Sequence, residues 1–231
     1  MLWKSWENMA IYKDPKIKLI TSIKERVAYK VRNSIELAYP NEQKISFLDV
    51  LENRHSTREF APMSISELGG FLYLSCRTRS SERGELGLVY EKRNYPSAGA
   101  LHSIDVIVSD NFSRNWYIYN SKRHTLDEIS VADREELQKF KESCFNILGN
   151  GKAGYLIWYV CDFERLACKY EFPETLAFRE SGGLSAIQSL VSEYLNMSFC
   201  TLGANGSQYV TCLSEQSKLL GVGTAIVGGK F

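Results

Sequence analysis

The sequence predicts an α+β fold, with a central mixed or antiparallel sheet flanked by helices. Three observations predict it. Tyr155–Cys161 is an almost unbroken apolar run, the pattern of a strand covered on both faces. Ile104–Val108 and Trp116–Tyr119 are rich in β-branched and aromatic residues and flank a polar turn at 111–115. Around them lie segments with apolar residues three and four apart, which is helical spacing.

Taken in chain order, Ile20, Ile23, Val27, Val31 and Ile35 fall on one face of a long helix that ends before Pro40. Phe47, Leu48, Val50 and Leu51 suggest a second, short helix. Ser64-Ile65-Ser66-Glu67 is a capping box, so a helix is expected from Ile65 to about Cys76. Residues 77–94 are polar and charged and read as a loop. Asp133 caps a helix with apolar positions Leu137, Phe140, Cys144 and Ile147, stopped by Gly149-Asn150-Gly151. From Phe163 the chain reads as helix interrupted at Pro173, then as a buried face at Leu184, Ile187, Leu190, Val191 and Leu195. Leu213–Leu220 reads as a short helix and Thr224–Val227 as a last strand. The resulting organisation is a helical extension over 1–46 and one domain over 47–231.

Composition narrows the function. With 231 residues and 44 % apolar content, the chain can bury a substantial core. Lys and Arg total 28 against 27 for Asp and Glu. That balance gives no electrostatic case for nucleic acid or an acidic membrane, so neither is expected as a partner. No apolar run approaches the roughly 20 residues of a membrane span. The first residues lack the apolar stretch of a secretory signal, so a soluble, cytoplasmic protein is expected. The six cysteines form no CxxC pair and the three histidines are scattered, so no metal site is expected.

Four segments carry possible chemistry. Arg54, Ser56 and Arg58 are two apart, which in extended chain puts them on one side. Two guanidiniums and a hydroxyl suit a phosphate, although a solvated turn has the same composition. Pro96-Ser97-Ala98-Gly99 joins a rigid residue to small ones directly before a strand. Small residues let a flat ligand, or simply another backbone, come close. Glu180-Ser181-Gly182-Gly183 reads as the start of the buried helix, where free N–H groups can donate to a ligand. Lys169-Tyr170 lies between two helical pieces and, alone, reads as surface. The sequence contains no phosphate loop of the GxxxxGK[ST] type and no GxGxxG.

In this order the segments resemble the nitroreductase superfamily. The resemblance covers about residues 47–231 and rests on Arg54-His55-Ser56-Thr57-Arg58, Pro96-Ser97-Ala98-Gly99-Ala100-Leu101, Glu180-Ser181-Gly182 with Gln188, and Leu202-Gly203. The second segment is similar to the PSAGAL signature of the SagB-type branch, whose members oxidise thiazolines and oxazolines to azoles in peptides. Lys169-Tyr170 matches the Lys-Tyr pair that those dehydrogenases use in catalysis. The resemblance implies FMN as cofactor. Arg54, His55, Ser56 and Arg58 would lie at its phosphate, with Pro96, Ser97, Ala98 and Gly99 along its ring. Glu180, Ser181 and Gly182 would also contact it, their backbone reaching the flavin. It further implies an intertwined homodimer with FMN at the interface, a sheet of four or five strands, a precursor peptide as substrate and a cyclodehydratase as partner.

The chain departs from the family pattern in two places. His102-Ser103 stand where relatives have Tyr-Pro, and Lys230 is the one basic residue after the last predicted strand that could meet the phosphate. Two other readings fit the same flavin site. One is a nicotinamide-dependent nitro- or quinone reductase, which has no need of Lys169-Tyr170. The other is a non-catalytic partner subunit of a peptide-modification complex, with or without flavin.

Overall fold

The computed structural model describes residues 12–20, 25–84, 87–149, 153–214 and 218–231. Its centre is a seven-stranded sheet in which every described pairing is antiparallel. In chain order its strands are β2 (Val31–Glu36), β5 (Ile104–Asp110), β6 (Tyr117–Asn120), β7 (Thr125–Ile129), β8 (Tyr155–Asp162), β10 (Met197–Leu202) and β11 (Leu219–Gly229). Across the sheet they run β10-β11-β8-β5-β6-β7-β2. The sheet is therefore larger than the four or five strands expected. Two small ribbons complete the strands: β1 (Lys16–Ile17) with β9 (Tyr170–Glu171), and β3 (Ser80–Arg83) with β4 (Val89–Lys92).

The apolar run at 155–161 becomes β8, near the middle of the sheet, and its residues from Leu156 to Cys161 are all buried. Alternate residues feed two cores, as a strand must. Ile157, Tyr159 and Cys161 face one layer, where α2 (Ile65–Cys76) and α5 (Glu174–Tyr194) supply Phe71, Leu72, Ala177 and Leu184. Leu156, Trp158 and Val160 face the other, where α3 (Arg134–Ile147) supplies Leu137, Phe140 and Cys144. Among the described residues the other α-helices are α1 (Phe47–Asn53) and α4 (Phe163–Lys169).

The expected caps form. Ser64 Oγ accepts from Glu67 N–H while the Glu67 carboxylate accepts from Ser64 N–H, closing the capping box of α2. Asp133 accepts from Glu136 N–H at the start of α3. The end of α3 reaches Gly149, in left-handed geometry, while Asn150 and Gly151 of the expected stop lie outside the described residues.

Four expectations are corrected. The helix expected over Ile20–Ile35 is not there: Val31–Glu36 is an edge strand paired with β7, and Ile23 lies outside the described residues. Ile20 and Ile35 pack on one core and Val27 on the other, so the spacing marks no single face. The helical extension over 1–46 fails with it wherever the chain is described. Residues 77–94 hold the β3–β4 hairpin; β3 is polar and exposed, and the four residues of β4 are too few to show an apolar alternation. The helix expected over Leu213–Leu220 is absent wherever that segment is described. A 3-10 turn over Ser207–Cys212 precedes it, β11 begins at Leu219, and residues 215–217 lie outside the description. Finally, α5 opens at Glu174, directly after Pro173, so Glu180-Ser181-Gly182-Gly183 sits in its second and third turns. The N–H groups there are engaged in the helix and are not free donors.

Candidate functional site

Two neighbouring places gather the candidate residues, and α5 runs past both. The first is a half-buried corner where the 96–103 loop, the end of α4 and the start of β9 meet. Lys169 ends α4 and Tyr170 begins β9. Both side chains turn toward Gly99. A Cβ added at Gly99 would stand 2.6 Å from Lys169 Nζ and 2.8 Å from Tyr170 Oη. Gly99 also has φ +58°, so its lack of a side chain serves both the backbone conformation and the close approach. Lys169 Nζ lies 3.5 Å from Gly99 O and 5.0 Å from the centre of the Tyr90 ring.

The loop is held in an unusual conformation. Ala100 and His102 also have positive φ, at 58° and 46°. Such residues persist only where surrounding contacts over-determine them. Here those contacts are specific. Glu180 Oε2 accepts from Ser97 Oγ at 2.8 Å and from Ser103 Oγ at 3.4 Å. Ser97 Oγ accepts from His102 N–H at 2.7 Å. Arg165 donates to Leu101 O and to Val89 O, each at 2.9 Å, tying α4 to the loop and to β4. Arg26 donates to His102 O.

Burial sets the electrostatics of the corner. It raises the Glu180 carboxyl, with the Ser97 hydrogen bond opposing, and Glu180 Oε1 is buried with no partner. Burial, reinforced by the charge of Glu180, also raises the Tyr170 phenol, which keeps it protonated at neutral pH. His102 is pushed down to about 3, by burial first and then by the Arg93 guanidinium. Its ring is neutral, packs edge-on against Tyr95 at 4.8 Å, and leaves Nδ1 buried without a partner.

The second place is a shallow groove of about 370 Å³ at the surface of α5. It is lined by Arg54, Ser56, Ser185, Ala186, Ser189, Leu190, Phe199 and Thr201. The segment after α1 runs extended beside β10, with Thr57 N–H donating to Phe199 O at 3.1 Å. That alternation turns Arg54 and Ser56 to the groove. Gly182, Ser185, Ala186 and Ser189 recur at helical spacing, so small residues line one stripe of α5 from the corner to the groove. At 1.5 Å per residue, Gly182 to Ser189 covers about 10 Å. A Cβ added at Gly182 would meet nothing within 4 Å, so the helix surface is open there.

The other candidates are distributed as follows. His55 Nδ1 lies 2.7 Å from Asn53 O, at the end of α1. Arg58 is exposed and near Cys200. Ser181 is buried and donates to Val222 O, so its hydroxyl serves the helix–sheet contact. Pro96 packs beside Gly183, and Ala98 packs on the core. Gln188 is buried and accepts from Tyr159 Oη at 2.5 Å, which makes it a core residue. Lys230 forms an ion pair with Glu193 at 3.6 Å, one turn beyond Ser189 on α5. Arg165 is the residue that sequence reasoning missed. Its guanidinium is held by two carbonyls, and no spacing rule reveals that.

Among the described residues no helix is long and apolar enough to cross a membrane. No family model matches the chain, and no curated protein matches it. Solved structures do. A protein of Ralstonia eutropha JMP134 assigned as a nitroreductase is 18 % identical, with TM-score 0.60, over 91 % of this chain and 97 % of its own. The E. coli microcin synthetase McbBCD complex, solved with truncated pro-MccB17 bound, contains a chain 19 % identical, with TM-score 0.58, over 84 % of this chain and 76 % of that one. A protein of Desulfovibrio desulfuricans assigned as a nitroreductase and solved in complex with FMN is 15 % identical, with TM-score 0.50, over 82 % of this chain and 91 % of its own. The chain has the nitroreductase fold.

Proposed function

We propose that this protein is an FMN-dependent oxidoreductase that converts azoline rings to azoles in a ribosomally made peptide. The observation that carries the reading is the convergence of Lys169 Nζ and Tyr170 Oη on Gly99. The similarity to a chain of a microcin synthetase complex with a peptide bound supports the substrate class.

The residues present fit FMN. The stripe of small residues on α5 leaves room for a flat ring, and Arg54 and Ser56 offer phosphate donors at its far end. The FMN bound by the Desulfovibrio relative supports the same choice. When bound, flavin would supply the two-electron acceptor that azoline oxidation needs. This chain's own residues do the rest. Arg54 and Ser56 hold the phosphate, with Arg58 and Lys230 as further cations. The 96–99 loop forms a rigid wall. Lys169 takes the proton from the ring carbon, and the protonated Tyr170 phenol beside it relays that proton toward solvent. A second copy, as in the homodimer that the resemblance implies, would close the open side of the groove. A cyclodehydratase would make the azoline upstream.

An absorption spectrum and a turnover assay test this together. The purified protein should be yellow, release FMN on denaturation, and oxidise a thiazoline peptide. Release of FAD, or rapid reduction by NADH or NADPH with no azoline turnover, would replace this reading with a nitro- or quinone reductase. A colourless protein that refuses FMN would replace it with a non-catalytic subunit.

A further inference from the structure

The N-terminal segment touches the corner in a way the reaction does not require. Lys16–Ile17 pairs antiparallel with Tyr170–Glu171, Ile17 opposite Tyr170 and Lys16 opposite Glu171. Lys18 N–H continues the ladder by donating to Lys169 O at 3.0 Å. The strap is held almost entirely through its backbone. Ile17 and Leu19 are 76 % and 85 % exposed, so they bury little. Ile20 alone of residues 16–20 packs on the core, and Lys13 lies over the Phe172 ring at 4.5 Å. Among the described residues β9 has no other strand partner. A strand edge whose occupant contributes backbone bonds and little side-chain burial accepts any extended peptide of suitable register.

We propose that the edge formed by Lys169, Tyr170 and Glu171 is a docking site for an extended peptide, and that residues 16–18 occupy it until the peptide displaces them. The inference rests on the peptide-oxidising reading above and adds how the peptide is held. A peptide laid on this edge has its backbone bonded to Lys169 O, which puts the neighbouring ring beside the Lys169 and Tyr170 side chains. The register also sets a preference. The strap presents a lysine opposite Glu171 and an apolar side chain opposite Tyr170. The preferred peptide therefore carries a basic residue next to an apolar or ring-bearing one.

The test uses the full chain and a fluorescein-labelled peptide of its own residues 12–20, followed by anisotropy. In the unaltered protein the tethered strap competes at an effective concentration on the order of millimolar. Lys18→Pro removes the N–H that bonds to Lys169 O yet keeps the preceding residue extended. The labelled peptide should bind Lys18→Pro about tenfold or more tightly than it binds the unaltered chain, because the tethered competitor is weakened. The same peptide with proline in place of Lys18 should not bind. Adding Glu171→Lys to the Lys18→Pro protein should weaken the basic peptide. If Lys18→Pro does not fold, Lys16→Pro, at the next hydrogen-bonding position of the ladder, is used in its place with the same expectation. Equal affinity for altered and unaltered chains, or no saturable binding to the released variant, overturns the docking edge. The readout needs neither flavin nor turnover. A colourless protein that passes would overturn the proposed function alone, and an active one that fails would overturn the docking edge alone.

Discussion

The corner at Gly99 and the groove at Arg54 lie along one helix, yet they are built in opposite ways. In the corner the loop is tied down by groups of the same chain: Ser97 by Glu180, His102 N–H by Ser97, and Leu101 O by Arg165. The positive-φ conformations of Gly99, Ala100 and His102 are held in place by those bonds. In the groove Arg54 and Ser56 are exposed and face small residues across open space. The difference teaches which part is finished by folding and which waits for something to bind. A site that must place a proton-transfer group within tenths of an ångström gains from rigidity supplied in advance. A site that holds a phosphate needs cations left free to meet it.

The largest effect expected on this contrast is kinetic. Lys169→Ala should slow azoline-peptide oxidation by about 10²–10⁴-fold, the usual range for losing a general acid–base group. Flavin content should stay unchanged. Loss of both together would mean that the corner supports the fold and not the chemistry.

The second effect is on stability in acid and concerns the corner alone. His102 is neutral in the fold, with its folded value lowered to about 3, whereas in the unfolded chain it takes a proton near pH 6.5. The unfolded state therefore binds more protons between those values, and stability falls as pH falls through that window. His102→Gln should flatten this dependence by roughly 2–4 kcal/mol between pH 7 and pH 3. Urea midpoints of the two proteins across that range check it. Parallel curves would show that His102 titrates normally and that the corner is wetter than described.

The third effect belongs to the groove. Arg54→Ala should weaken FMN binding by about 1.5–3 kcal/mol if it makes a charged hydrogen bond to phosphate. The smallest is expected at Lys230, which already pairs with Glu193. Lys230→Ala should change FMN affinity and stability by less than about 1 kcal/mol, as for other partly exposed pairs. A larger change in FMN affinity would move Lys230 to the centre of the groove.

These contrasts also mark what the sequence could carry. Caps and buried strands are local signals, so Ser64, Asp133 and the run at Tyr155–Cys161 placed their elements well. The edge strand at Val31–Glu36 was hidden, because its pairing with β7 is backbone bonding that side-chain spacing does not report. The long strand β11 was read only at Thr224–Val227, because Gly221, Gly223, Gly228 and Gly229 interrupt its apolar pattern. The helix at Glu174 has no side-chain cap, so its start was misplaced toward Glu180. Motif order brought Gly99, Lys169 and Tyr170 into one list. It could not say that Glu180, 83 residues from Ser97, anchors the loop through its side chain.

The proposed function divides labour along α5: the groove would hold the cofactor and the corner would do the chemistry. The most direct measurement is the dissociation constant of FMN, by quenching of flavin fluorescence, for the unaltered protein, Arg54→Ala and Lys169→Ala side by side. The account predicts a loss of about tenfold or more for Arg54→Ala, as for removal of a charged hydrogen bond, and no change for Lys169→Ala. The reverse pattern, with Lys169→Ala releasing FMN and Arg54→Ala keeping it, would contradict it.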